Sequence, residues 1–501
     1  MNGFFKKAFC IAFALAAALA SAACVPSLGE LEERYDDDGK QYELAYYLMY
    51  NDSNPPNDLK SVEARLNAAL KAKLPDTTVK LTAYTIAEYT AKLSGAIAAN
   101  VKFDICYTSP EVNPYLTNVQ REAFLPLDYL LPTYAPETWA AIPENIWTQA
   151  RVDGKIYASV NEQIFPRTYC YDARNATLIT QFLNAAHPGT TTDTVNELGM
   201  DAFAFMEEYM AWLKANDRGA GGKISSIDTE SALQNWFGYD NLGTGMSTPG
   251  VVDIEDGSYT VVNQYASQDY RNLIDTVYRW KSVGYIEEGV SVFDLTPESN
   301  WKPGYRRGNI LKLSDPHYFT SYVIGTMNAI SSTSKNPARA MKFIELLRTD
   351  AEIHNILQFG VEDVHYIKDP ENPVRIAEQI TGSGYNNAQF GWGLGCEFVS
   401  YLTPSQPADL WEQVKKINAD TPVSPLVGFN FNVAAVKQKI ADCKAVVNEF
   451  APAFASAQFK NKDDKLAEFL SRLNAAGANE VVAEKQKQLD AYLAARGIAK
   501  A

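Results

Sequence analysis

The sequence predicts an α/β protein with a parallel sheet, a second α/β lobe and a helical C-terminal region. Three observations carry this. Apolar runs of strand length alternate with helical spacing between residues 44 and 107. Long helical patterns interleaved with short strands follow over residues 155–283, and regular apolar stripes dominate from residue 408 onward. The first pattern is the β-α-β rhythm of a parallel sheet covered on both faces.

The chain opens on Lys6 and Lys7, followed by an apolar run of 13 residues over 8–20. A membrane span needs about 20 residues, so this run is too short. Ser21, Ala22 and Ala23 suit a signal peptidase, and Cys24 follows at once. That is the layout of a secretory signal peptide over residues 1–23, with Cys24 lipidated after cleavage. Plain secretion after cleavage near Ala22 or Ala23 is the alternative. Residues 24–40 carry Glu30, Glu32, Glu33 and Asp36 to Asp38, and read as an acidic, solvated tether.

The body starts with a strand over 44–50 and a polar loop over 51–56. A helix over 58–74 places Leu59, Val62, Leu66 and Leu70 on one face. A strand over 79–83, a helix carrying Ile86, Tyr89, Leu93 and Ile97, and a strand over 103–107 follow. In such sheets ligands sit beyond the carboxyl ends of the strands, so loops 51–54 and 107–113 belong to one crevice. Residues 155–160 read as another strand. The second lobe has helices over 198–214 and 268–283, with strands expected at 223–227 and 258–262. Gly219, Gly221, Gly222, Gly243, Gly245 and Gly250 mark its turns. Pro337, behind Asn336, opens a further helix. Helices near 408–418, 433–449, 463–475 and 478–496 complete the chain.

Composition bounds the function. The net charge of −15 becomes −17 once residues 1–23, with Lys6 and Lys7, are removed. So acidic a protein repels phosphate backbones, which excludes nucleic acid as a partner. No later segment approaches 18 uninterrupted apolar residues, so the membrane is reached through the lipid alone. Aromatics make up 12% of the chain, with 28 Tyr and 8 Trp. Their flat faces and polar edges suit sugars, and equally a large mixed core. Cys106, Cys170, Cys396 and Cys443 lie far apart in the chain and read as buried thiols, with one disulfide among them left open. There is no nucleophile elbow, P-loop, Cys-x-x-Cys or His-Glu-x-x-His motif. His187, His317, His354 and His365 lack ligand-like spacing, so neither a metal nor a cofactor is expected.

Five blocks carry a resemblance. They are the lipid-site leader; Phe103-Asp104-Ile105-Cys106-Tyr107-Thr108-Ser109 with Phe124-Leu125-Pro126-Leu127; Asp153-Gly154-Lys155-Ile156-Tyr157-Ala158; Gly360-Val361-Glu362-Asp363-Val364-His365-Tyr366; and Val423-Ser424-Pro425-Leu426-Val427-Gly428-Phe429. In this order they resemble the family 1 extracellular solute-binding lipoproteins of ABC importers, in the subgroup that ends in a helical domain of unknown function. The resemblance implies a two-lobed type II periplasmic-binding-protein fold, like that of maltose-binding protein, with several interlobe crossovers. It places one lobe at 41–160 and 320–375, and the other at 165–315 and 395–501. Crossovers are expected near 161–163, 315–322 and 372–398. It further implies a monomer anchored outside the cytoplasmic membrane, which captures a sugar or oligosaccharide and delivers it to an ABC permease.

Candidate solute contacts follow. Tyr107, Thr108, Ser109 and Asn113 lie in a strand-end loop, and Asp52 in the loop after the first strand. Glu162 falls in the expected hinge. Trp236, Trp301, Tyr305 and Trp392 sit among Gly, Pro or Asn rather than on helical stripes, which suits stacking on a sugar. Phe429 and Phe431 take, by position, the aromatic platform of maltose-binding relatives. Two rival functions use the same fold: a thiaminase-like transferase with Cys106 as nucleophile, and a carbohydrate-capture surface protein without a permease.

Overall fold

The computed structural model describes residues 35, 37–50, 56–167, 170–254, 256–289 and 310–500. The signal peptide, Cys24, Asp52, Trp301 and Tyr305 lie outside the described residues. In chain order the elements used below are β1 (Tyr42–Tyr50), α1 (Leu59–Lys73), β2 (Thr77–Thr85), α2 (Ile86–Ala98), β3 (Ile105–Thr108), α3 (Glu144–Ala150) and β4 (Ser159–Val160). Then come α4 (Ala202–Ala215), β5 (Tyr239–Asp240), β6 (Val252–Asp253), α5 (Gln268–Ser282), β7 (Met327–Ile330), α6 (Pro337–Thr349) and α7 (Ala351–Phe359). The chain ends with α8 (Leu410–Asp420), α9 (Lys437–Ala455), α10 (Lys462–Ala475) and α11 (Ala478–Arg496).

The first sheet has the order β2-β1-β3-β7-β4. β2 and β3 both run parallel to β1, with Tyr46 opposite Leu81 on one side and Ile105 on the other. β7 is antiparallel to β3 and β4, so the sheet is mixed rather than wholly parallel. Helix starts follow the local chemistry. Asn336 accepts from the Arg339 amide at 2.9 Å with Pro337 in the first turn, and Ser267 caps Tyr270 at 3.1 Å.

Two separate apolar cores divide the chain. One gathers β1–β4, α1 and α2, then β7, α6 and α7, and continues to Leu394. The other gathers residues 171–286, Leu311 and the inner faces of α9 and α10. A smaller cluster joins Leu242, Val252 and Val261 to Phe429, Phe431 and α11. Expected strands at 223–227 and 258–262 reduce to single bridges, Ile224 to Ile286 and Val251 to Val262. The apolar run at 155–160 is split between a two-residue hairpin arm and β4.

Where the sequence predicts a solvated tether, Tyr35 and Asp37 are docked, while Asp38, Gly39 and Lys40 are exposed. Tyr35 is buried and stacks on Tyr129 at 6.4 Å. Asp37 receives Arg339 through Nε at 2.9 Å and a terminal nitrogen at 2.6 Å. Cys106, Cys170, Cys396 and Cys443 are all buried thiols. Among the described residues no helix is long and apolar enough to cross a membrane, and no cluster of three or more His, Cys, Asp or Glu is placed to hold a metal ion.

Candidate functional site: the interlobe junction

Three stretches of chain lie side by side between the cores. The Asn161 amide donates to Thr326 O at 3.0 Å, and Arg167 and His317 exchange backbone bonds at 2.7 and 2.8 Å. Glu162 bonds Gly395 O and Glu397 N, both at 2.8 Å. Side chains tie the same stretches together. Asn328 Nδ2 donates to Asn161 Oδ1 at 2.7 Å and Gly393 O at 3.1 Å, while Asn418 Nδ2 donates to Gln163 O at 2.7 Å. Residues 161–167, 317–326 and 393–418 therefore share one junction. Gly395 has φ +83°, and a Cβ there would sit 2.9 Å from the Arg348 amide, so the third stretch comes this close to α6 only without a side chain.

Glu162 sits in the junction, where its carboxylate accepts from Arg348 of α6 and from Cys396 Sγ at 3.4 Å. An aromatic floor adjoins Asn161, whose Nδ2 donates to Trp392 O at 3.5 Å. Trp392 is half-buried and meets Tyr107 edge-on at 5.9 Å and Phe390 at 4.9 Å. Tyr107 is buried, and its hydroxyl donates to Gly325 O at 3.0 Å. The Arg167 guanidinium lies over the Tyr322 ring at 4.1 Å. Burial pushes the Arg167 pKa below its ordinary value and that of Tyr322 above. The negative charges of Glu111 and Asp240 add to the rise at Tyr322. A half-buried aromatic ring next to buried polar groups is suited to hold a sugar ring by stacking and by directed hydrogen bonds.

Residues 425–494 match the family model described as Domain of unknown function (DUF3502). Over 98% of its length the chain is 23% identical to a carbohydrate ABC transporter substrate-binding protein of Streptococcus pneumoniae serotype 4, covering 99% of that protein. The crystal structure of the N-glycan transport solute binding protein NgtS of S. pneumoniae superposes with a TM-score of 0.72 at 21% identity, covering 90% of this chain and 99% of that one. NgtS in complex with Man5GlcNAc gives 0.65 at 21% identity, with 90% and 98% covered. The fold is that of a two-lobed solute-binding protein.

In the solute-binding fold the sequence-predicted residues separate into groups. Tyr107 and Trp392 are in contact, while Glu162 lies in the junction with its carboxylate bound to Arg348 and Cys396. Thr108, Ser109 and Asn113 line the same loop, but their polar atoms bond within it. Thr108 Oγ1 donates to Asn113 O at 2.6 Å, Asn113 Nδ2 donates to Tyr107 O at 2.8 Å, and Ser109 Oγ accepts from the Val112 amide at 2.8 Å. Trp236 stacks on Phe203 of α4 at 3.2 Å and is half-buried in the second core. Phe429 and Phe431, expected as a platform, are buried against α11 instead; Phe429 meets Tyr492 edge-on at 5.5 Å. Their spacing before a helix reads the same whether the rings face a cleft or a neighbouring helix. Arg167, Tyr322 and Phe390 join the site without a sequence signal of their own.

Cys106 does not fit a nucleophile. It is fully buried in β3, 3.5 Å from Asn113 Nδ2, and burial pushes its thiol far above the ordinary value. A reactive thiolate needs exposure and a positive neighbour.

Proposed function

We propose that this protein captures a sugar or oligosaccharide between its two lobes, outside the cytoplasmic membrane, and hands it to an ABC permease. The observation that supports this most is the half-buried Trp392 ring, edge-on to Tyr107 at 5.9 Å, with its backbone carbonyl 3.5 Å from Asn161 Nδ2 of the junction. In this reading residues 41–160 and 320–375 form one lobe, and 165–315 and 395–501 the other. Trp392 stacks on the solute and Glu162 faces it. Tyr107, Thr108, Ser109 and Asn113 shape the floor, with Trp236 on the far side. Asp52, Trp301 and Tyr305 are further candidate contacts. The relatives named above make glycans the first solutes to test. Cys24, once lipidated, tethers a monomer to the membrane, and solute contacts both lobes only when they close, so binding shifts the population of lobe positions.

The test is a thermal-shift screen over a carbohydrate library, read together with small-angle scattering. A solute at 100 times its dissociation constant adds about 2.7 kcal/mol, or about 3 °C for a chain of this size. The matching solute is expected to reduce the radius of gyration as well, and tight binding without compaction would overturn the capture reading. Trp392→Ala is expected to weaken binding about tenfold, measured by titration calorimetry, with the melting temperature of the free protein little changed.

A further inference from the structure

The segment that opens the DUF3502 match joins the first core to the smaller apolar cluster at α11. Val427 is buried in the core of the first lobe, while Phe429 and Phe431 are buried against α11 and the loops of the second. Gln149 of α3, itself 1% exposed, spends its whole amide on the turn between them. Its Oε1 accepts from the Gly428 amide, and its Nε2 donates to Phe429 O at 3.1 Å and Asn430 Oδ1 at 3.3 Å. Asn430 answers, its Nδ2 donating to Arg151 O at 2.7 Å and Gln149 O at 3.3 Å.

From the other side Tyr492 of α11 donates to Val427 O at 2.9 Å. Gly428 has φ +103°, and a Cβ there would lie 2.8 Å from the Tyr492 hydroxyl and 2.9 Å from Thr148 Cγ2. Only glycine fits so close an approach of α3 to α11. α11 is in turn pinned to the second lobe, because Lys485 Nζ donates to Gly250 O at 2.5 Å and Thr244 Oγ1 at 2.7 Å.

We infer that residues 425–431 are a strap that sets the balance between open and closed lobes, with Gln149 and Asn430 as its positioning residues. The inference rests on the capture reading above. When the lobes swing apart, Gln149 and Arg151 move with the first lobe, and Phe429, Phe431 and Tyr492 with the second. The hydrogen bonds of the turn must then break together. Interactions made in one state and lost in the other bias the equilibrium without touching solute. The role assigned to the head of the DUF3502 region is thus control of closure.

The experiment compares the full chain with Gln149→Ala and Asn430→Ala by small-angle scattering without solute. Both variants are expected to keep the circular dichroism and the single cooperative melt of the parent, and to show a radius of gyration larger by about 1 Å. For a glycan that binds the parent, each is expected to bind about fivefold more weakly while reaching the same compact bound form. An unchanged radius in both folded variants overturns the strap. Loss of the cooperative melt in both overturns it too, since the turn is then plain core. If one variant alone fails to fold, the other decides. Should no carbohydrate bind the parent, the capture reading fails, and the solute-free scattering still decides the strap.

Discussion

Replacing Lys485 by Met is expected to flatten the rise in stability between pH 7 and pH 10. Lys485 projects from α11 into a fully buried site, where its Nζ donates to Gly250 O, Thr244 Oγ1 and, at 3.3 Å, Asn241 O. Burial pushes its pKa down to about 7; the charge of Lys444 adds to that push and Asp240 opposes it. The unfolded chain holds its proton up to the ordinary lysine range near 10.5. Between the two values the unfolded state binds a proton that the native state lacks, so stability climbs with pH. One proton over about three pH units corresponds to roughly 4 kcal/mol. Met keeps the stem and carries no proton. It leaves Gly250 O and Thr244 Oγ1 without the lysine donor, at about 1 kcal/mol or more each, while Asn241 O keeps Thr244 Oγ1, so the variant falls furthest behind the parent near pH 10. Urea unfolding at pH 7, 8, 9 and 10 checks this, and parallel profiles would sink it.

Arg339→Ala is expected to cost 3–5 kcal/mol, an order-of-magnitude value for breaking a buried ion pair. The guanidinium is 3% exposed and serves two elements at once. Its forked pair to Asp37 holds the N-terminal segment, and its remaining nitrogen donates to Thr77 Oγ1 at 2.7 Å and Asp76 O at 2.9 Å at the start of β2. Lys342 adds a second cation at 2.7 Å. The Arg339 guanidinium holds the Asp37 carboxyl well below its ordinary range. A depressed carboxyl pKa contributes stability that is present above the unfolded value near 3.9 and lost as pH falls below it. The gap between parent and variant should thus be full at pH 7 and shrink steadily below about pH 5. Arg339→Lys should not restore it, since an ammonium has no fork to grip both oxygens and the β2 carbonyl together.

Elements with strong periodicity were legible. The helix expected over 478–496 is α11 to the residue, and the alternation over 44–107 is β1 through β3. β7 was not, because Met-Asn-Ala-Ile is four residues long and has no alternation; its partners β3 and β4 define it as a strand. Strands expected at 223–227 and 258–262 carry the right residues, yet long-range pairing is met at one position in each. The candidate site was legible in part. Tyr107 lies at the carboxyl end of β3, a position that topology alone marks as near a crevice. Arg167 and Tyr322 come together across about 155 residues of chain, and no local pattern records such a meeting. Phe429 and Phe431 show the reverse error, since burial against a helix leaves the same local trace as exposure to a cleft.

The late place of β7 in the chain has a consequence for incomplete chains. A chain that ends at residue 326 contains β1, β2 and β3, but the outer edge of β3 has no neighbour. An open strand edge invites pairing with other molecules. Polypeptides truncated anywhere before Met327 should therefore aggregate more readily than those ending just beyond Ile330, and holdase chaperones should discriminate between the two.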